Sequence, residues 1–291
     1  MKLLAKFNVI LLLLFGSGLF LVSYMARQFL LDNARSQVLQ QAQLMVESAR
    51  STREYTSQEL KPLLVRVPDE TEFIRQTVPA YSANVTFDRL RKTYPEYSYK
   101  EATLNPTNPR DRAVEWETDI VDYFRNNPDA KEIVGERDTP TGRSLYLAHP
   151  MKAPKPCLEC HSTPDKAPAK MVATYGTTNG FGWNENEVVA AQIVSVPMTL
   201  PISIADRAYK RLLIYLVGIF LVTLITIDML LYVIVIRPVR TLSEYADRIS
   251  KGDTELPELP VRGRDEIAEV TGSFNRMYRS LAKALRLLEG D

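Results

Sequence analysis

Cys157-Leu158-Glu159-Cys160-His161 spells C-x-x-C-H, the pattern that attaches a c-type haem. It contains both cysteines of the chain and one of its two histidines. Two thiols at this spacing each reach one vinyl group of a single porphyrin. The adjoining His161 then lies under the iron, where a neutral imidazole serves as proximal ligand. Cys157 and Cys160 are therefore expected to hold haem c covalently, with His161 as the metal ligand.

Other uses of the same residues fit less well. A thioredoxin-like C-x-x-C needs a βαβ setting, whereas this motif lies among Pro150, Pro154, Pro156, Pro164 and Pro168, which spell a loop. A structural zinc ion takes four ligands, and the cysteines and histidines available are only Cys157, Cys160, His161 and His149. A Cys157–Cys160 disulfide closes a very tight ring and leaves the histidine without a purpose.

Two apolar runs divide the chain. Phe7 to Ala26 follows Lys2 and Lys6 and is about the 20 residues needed to cross a bilayer. Tyr24-Met25-Ala26-Arg27 lacks the small-residue pattern of a signal-peptide cleavage site, so an uncleaved signal anchor is expected. Leu212 to Ile236 is bounded by Lys210-Arg211 and Arg237 and reaches about 37 Å as a helix, which implies tilt. Asp228 inside it either faces a partner helix, snorkels toward the nearer interface or carries a signalling role.

Lys and Arg near the spans number six on one side (Lys2, Lys6, Arg237, Arg240, Arg248, Lys251) and five on the other (Arg27, Arg35, Arg207, Lys210, Arg211). Charge alone barely orients the chain. Haem c attachment takes place outside the bacterial cytoplasm, which puts residues 27–211 in the periplasm and both termini in the cytoplasm. The expected location is the bacterial inner membrane, with lipid around both spans. A net charge of +1 over 291 residues gives no electrostatic case for nucleic acid. With both cysteines in one motif, no structural disulfide is expected.

Leu31, Ala34, Val38, Ala42, Met45, Val46 and Ala49 recur at helical spacing, predicting one amphipathic helix to about Leu60, ended by Pro62. The stripe serves either its own domain or a dimer seam. Pro79 to Leu90 and Ala113 to Phe124 predict helices, the latter with Trp116, Ile120, Val121 and Phe124 on one side. Ser144 to Ala148 and Val188 to Val196 predict strands. Gly176, Gly180 and Gly182 permit turns and close backbone approach. Phe181 and Trp183 beside them are candidates to cover a porphyrin face, or are ordinary core aromatics.

Asn105-Pro106-Thr107-Asn108-Pro109, Trp116-Glu117, the Cys157 to His161 motif, Tyr175-Gly176 and Gly180-Phe181-Gly182-Trp183 together resemble the bacterial periplasmic single-haem c sensor family with a PAS-like fold. The likeness covers roughly residues 40–200. It implies an α+β domain, a PAS-like antiparallel sheet with flanking helices, with one haem c on Cys157 and Cys160, His161 as axial ligand, and a sensory role. Some relatives supply a cysteine or methionine from the N-terminal helix as sixth ligand, and others leave water there. This chain has no third cysteine, so the distal candidates are His149 and Met45, with Met151 and Met171 also open.

Val235, Val239, Leu242, Ala246 and Ile249 step by four and three, as do Ile267, Val270, Phe274, Met277, Leu281, Ala284 and Leu288. Gly252 to Arg264, with Pro257 and Pro260, cannot continue a helix. Two heptad helices joined by such a connector directly after a span resemble a HAMP domain, which implies a homodimeric four-helix bundle. The chain ends three residues after Leu288, so output is expected to pass to a separate cytoplasmic signalling effector.

The expected organisation is 1–26 for the cytoplasmic N-terminus and first transmembrane helix, 27–211 for the haem-binding domain, 212–236 for the second transmembrane helix and 237–291 for the HAMP domain. The expected function is a non-enzymatic, membrane-anchored haem c sensor and signal transducer, responding to redox state or a small diatomic ligand. The competing expectation is a tethered monohaem cytochrome for electron transfer, which has no use for two matched heptad helices.

Overall fold

The computed structural model describes residues 3–66, 73–140, 142–253 and 255–289, without the side chains of 3 and 286–289. Lys2 and the side chain of Leu288, both used in the sequence analysis, lie outside the described residues. Residues Arg27–Tyr209 form one compact unit, and Met1–Ala26 with Lys210–Asp291 form a second.

Helix α1 runs Leu3–Tyr55, continues as a π-turn at Thr56–Leu60 and resumes as α2, Lys61–Leu64. Pro62 does not end the helix as expected. The π-turn, closed by Lys61 N–H to the Thr56 carbonyl, restarts the hydrogen-bond ladder. Pro62 therefore falls in the first turn of α2, where no N–H is required. After α3 (Pro79–Leu90) come β1 (Ser98–Thr103), α4 (Glu115–Asn126), β2 (Ile133–Thr139) and β3 (Gly142–Lys152). The one-turn α5 (Leu158–His161) and α6 (Ala169–Tyr175) precede β4 (Val188–Pro197).

The four strands form one antiparallel sheet in the order β1-β4-β3-β2. Strand alternation sends Tyr99, Leu145, Leu147, Val194 and Val196 to one face, where Val38, Ala42, Val46 and Ala49 of α1 and Ala83 and Phe87 of α3 cover them. The α1 stripe thus packs on its own domain. Ala102, Ala148, Ala191 and Ile193 point to the other face and meet Ile120, Val121 and Phe124 of α4. Both faces being covered explains why β4 is buried along nearly its whole length and is apolar on both sides apart from Gln192 and Ser195.

β1 and β2 escape sequence detection because each reads as polar. Lys100 and Glu101 of β1 are held by partners on helices: Lys100 Nζ lies 2.6 Å from Glu117 on α4, and Glu101 meets Arg53 on α1. β2 is an edge strand whose residues are only partly buried. The fold is a mixed domain of helices and antiparallel sheet.

Helix α7 (Thr199–Leu231) runs from the first unit into the second, passes through a π-turn at Tyr232–Ile236 into α8 (Arg237–Ser250), and α9 spans Glu266–Glu289. The helices running Leu4–Leu64 and Thr199–Ser250 are long and apolar enough to cross a membrane. Asp228 accepts a 3.1 Å hydrogen bond from Asn8 Nδ2, so the acidic group in the second apolar run meets a polar partner from the first. The connector between α8 and α9 lies on α9. Tyr278 Oη accepts from Leu256 N–H at 2.9 Å, and the Asn275 carboxamide both accepts from Leu259 N–H and donates to its carbonyl.

Candidate functional site

The segment carrying the C-x-x-C-H motif leaves the sheet after β3 and returns before β4. Its base is closed by two backbone bonds, Ala153 N–H to the Glu187 carbonyl and Asn186 N–H to the Ala153 carbonyl. Asn186 has φ of 63°, a left-handed conformation that asparagine tolerates better than most residues. Within the segment, Pro154 to Cys157 makes a 3₁₀ turn that runs into α5. One helical turn places Cys157 and Cys160 on neighbouring positions of the same side. Both are free thiols, half-buried, and burial pushes both above the usual thiol pKa.

His161 is held by both a hydrogen bond and an aromatic stack. Its Nδ1 lies 2.7 Å from the Gly180 carbonyl. A carbonyl only accepts, so Nδ1 carries the proton and Nε2 keeps its lone pair. Burial lowers the His161 pKa, which favours the neutral imidazole that a metal requires. Trp183 stacks on the ring, with centroids 4.1 Å apart and planes within 15°. Backbone bonds from Gly182 N–H to the Ser162 carbonyl and from Trp183 N–H to the His161 carbonyl lock the two stretches together. Gly180 has φ of +85°, and a Cβ there would come within 2.8 Å of the Thr107 backbone. Glycine is required at this position for both reasons.

A charged network lies on the α1 face of the sheet. Arg53 of α1 reaches Glu101 of β1 at 2.5 Å; Tyr99 Oη donates to the same carboxylate at 2.7 Å and accepts from Gln192 Nε2 at 3.0 Å. Burial opposes the Arg53 charge, but Glu101 and Tyr99 outweigh it and hold the guanidinium protonated. Burial, reinforced by Glu101, pushes the Tyr99 phenol far above its ordinary value. The Arg53 charge is felt at Cys157, and Lys61 of α2 lies 3.6 Å from Glu159 within the motif. None of the network residues was legible as functional, since a lone arginine on a helix and a glutamate in a strand normally face water.

The structure brings Cys157, Cys160, His161 and Trp183 together, with the backbone of Phe181 alongside. Met45 packs against the apolar cluster of α1, α3 and the sheet. His149 of β3 lies 3.7 Å from Glu132, and burial followed by the Arg50 charge lowers its pKa. Met171 is buried on α6 within the motif-bearing segment, and Met151 is half-buried on β3. Among the described residues no group of three or more His, Cys, Asp or Glu is placed to hold a metal ion. A thiol pair on one turn beside an imidazole with a free Nε2 and an aromatic backing is a donor set that fits haem c.

A family model described as Tll0287-like matches residues 31–197, and one described as the HAMP domain matches residues 230–283. Among solved structures, the cyanobacterial heme-protein Tll0287 aligns with a TM-score of 0.43 and 13% identity, over 55% of this chain and 94% of that one. Curated relatives include the signal transduction histidine-protein kinase/phosphatase MprB of Mycobacterium avium (strain 104), 47% identical over 49 residues, and that of Mycolicibacterium smegmatis, 45% identical over 49 residues. Those matches take in 17% of this chain and only 9% and 10% of the kinases, in the HAMP region.

Proposed function

The chain belongs to the Tll0287-like family, its matched domain followed by a HAMP domain, and from that membership we propose that it is a two-span inner-membrane sensor carrying one covalent haem c. Its domains are of sensor and signalling types. The proposed layout places the sensor domain, 27–211, in the periplasm, the spans at 7–26 and 212–236, and both termini with the HAMP segment, 237–291, in the cytoplasm. Cys157 and Cys160 hold the haem through thioethers, His161 Nε2 is the proximal ligand, and Trp183 backs the imidazole. The haem supplies an iron whose oxidation state or sixth ligand changes with the surroundings. The chain's own contribution is to keep His161 neutral and oriented, to tie α1 to the sheet through Arg53 and Glu101, and to tie α2 to the motif through Lys61 and Glu159.

The observation that carries this reading is the His161 geometry: Nδ1 is committed to the Gly180 carbonyl, leaving Nε2 as the coordinating atom. The HAMP match favours a transducer over an electron carrier. On α9, the heptad positions Val270, Met277 and Leu281 are 54%, 59% and 43% exposed in the single chain. A second copy covers them in the proposed homodimer, and the bundle relays the signal to a cytoplasmic effector.

The test is export of the full-length chain in a host that matures c-type cytochromes, followed by haem staining on a denaturing gel. Covalent haem is expected in the parent, lost in a Cys157→Ala/Cys160→Ala double variant. A parent chain without covalent haem ends the proposal. Ferric and ferrous spectra with and without carbon monoxide then separate a gas-binding iron from a closed six-coordinate one, alongside His149→Ala and Met45→Ala.

A further inference from the structure

Asn105 lies just beyond the end of β1, more than 50 residues before His161, yet its side chain grips the backbone that orients the imidazole. Its Oδ1 accepts from Gly180 N–H at 2.9 Å, and its Nδ2 donates to the Phe181 carbonyl at 3.0 Å. One carboxamide orientation satisfies both bonds, so the side chain cannot flip without losing each of them. Between the two bonded groups sits the Gly180 carbonyl, the acceptor of the His161 Nδ1–H bond. Thr107 closes the arrangement. Its Oγ1 lies 3.4 Å from Nδ1, and because the Nδ1 proton already points at a carbonyl, the hydroxyl adds only a weak second acceptor. Gly180, in its left-handed conformation over Thr107, has no freedom to turn its carbonyl elsewhere while Asn105 holds both sides of it.

We infer that Asn105 is a positioning residue for the proximal imidazole: by clamping Gly180 and Phe181 it aims the Gly180 carbonyl at His161 Nδ1, and so sets both the tautomer and the donor strength of Nε2. The inference rests on the proposed role of His161 as haem ligand. A free imidazole ring distributes its proton between the two nitrogens. A fixed carbonyl at Nδ1 keeps the proton there and pushes electron density toward Nε2, which stabilises the more positively charged ferric iron. Without the clamp, the carbonyl drifts, the ligand becomes a weaker donor and the ferrous state gains.

Two measurements on the full-length chain in detergent test this. In the haem-loaded protein, Asn105→Ala is expected to raise the ferrous-to-ferric ratio at a fixed applied potential by about tenfold, a positive shift of about 59 mV for one electron. In the same chain made without haem attachment, nitrogen spectra of labelled histidine read the tautomer directly, with His149→Gln assigning the two signals. His161 is expected to hold its proton on Nδ1 in the parent and to move toward Nε2 in Asn105→Ala. Asn84→Ala removes a buried carboxamide bonded to Ala80 on α3, away from the clamp, and should leave both readings unchanged. If Asn105→Ala does not fold, Asn105→Asp, which keeps the acceptor for Gly180 N–H and loses the donor to Phe181, must still move the tautomer. A parent His161 protonated on Nε2, or Asn105 variants with parental potential and tautomer, overturns the inference. Absence of covalent haem in the parent defeats the haem proposal instead, and the tautomer measurement still decides the clamp.

Discussion

At the scale of single residues, the Arg53–Glu101 pair and Asp111 make opposite demands on charge. Arg53 and Glu101 are mutually compensating, with side chains 25% and 7% exposed. Removing one partner leaves the other buried without compensation, so Glu101→Gln should lower unfolding stability by about 3 kcal/mol. Replacing both, as Arg53→Met with Glu101→Leu, should recover most of that loss. Urea unfolding of the parent, Glu101→Gln and the double variant measures it, and a Glu101→Gln variant within about 0.5 kcal/mol of the parent would contradict the network's role. Asp111 is instead penalised by its surroundings: burial first, then Glu101, push its pKa up to about 6, while Arg110 at 3.4 Å pulls only partly the other way. A carboxyl whose pKa is higher in the fold than in the unfolded chain stabilises below about pH 4. That contribution is lost as the pH rises through about 6. Asp111→Asn should accordingly be more stable than the parent at pH 7.5 by about 1–2 kcal/mol, after allowance for partial solvent screening, with no advantage at pH 4. Melting curves at the two pH values check the sign.

At the scale of elements, α9 carries two stripes, and only one was visible in the heptad pattern. Ile267, Val270, Phe274, Met277 and Leu281 form the apolar stripe. Ala268, Thr271, Asn275 and Tyr278 form a second, buried one. Two of its members are polar, so hydropathy hides it. Asn275 bonds the backbone of Leu259 and Tyr278 accepts from Leu256 N–H in the connector, while the Thr271 hydroxyl donates to the Ile267 carbonyl within α9. Asn275→Ala removes both bonds to Leu259 and should cost about 1–3 kcal/mol. Hydrogen exchange at the Leu259 amide should speed up while exchange in the interior of α9 stays unchanged. Unaltered protection at Leu259 would show that the connector is held by packing alone. The strands illustrate the same limit. β4 and the centre of β3 stand out as apolar runs, but β1 was missed because its charged residues are neutralised by helices distant in sequence.

At the scale of the whole molecule, the exposed stripe of α9 is the surface the proposed homodimer would use. In the proposed homodimer a second copy packed in register brings equivalent positions face to face, so Met277→Cys, 59% exposed in the single chain, should form an intermolecular disulfide in membranes under mild oxidation. A cysteine on the connector face, at Thr271, should not. Equal cross-linking at both positions would mean random collision. Efficient cross-linking at Thr271 alone would place the interface on the other side of α9.

What the sequence determined by itself is what short-range pattern encodes: the C-x-x-C-H motif within one helical turn, two apolar runs long enough for a bilayer, and two heptad stripes around a proline-bearing connector. Each is legible because the residues that cooperate lie within a few positions of one another. Tertiary structure alone decided how the histidine is held. The Asn105 bonds to Gly180 and Phe181 span 75 and 76 residues, and the Arg53 bond to Glu101 spans 48. Over such separations no periodicity connects the partners; only the closing of the sheet brings them together. The motif names a histidine, but the carbonyl bonded to its Nδ1 and the carboxamide that holds that carbonyl's neighbours are delivered by the fold.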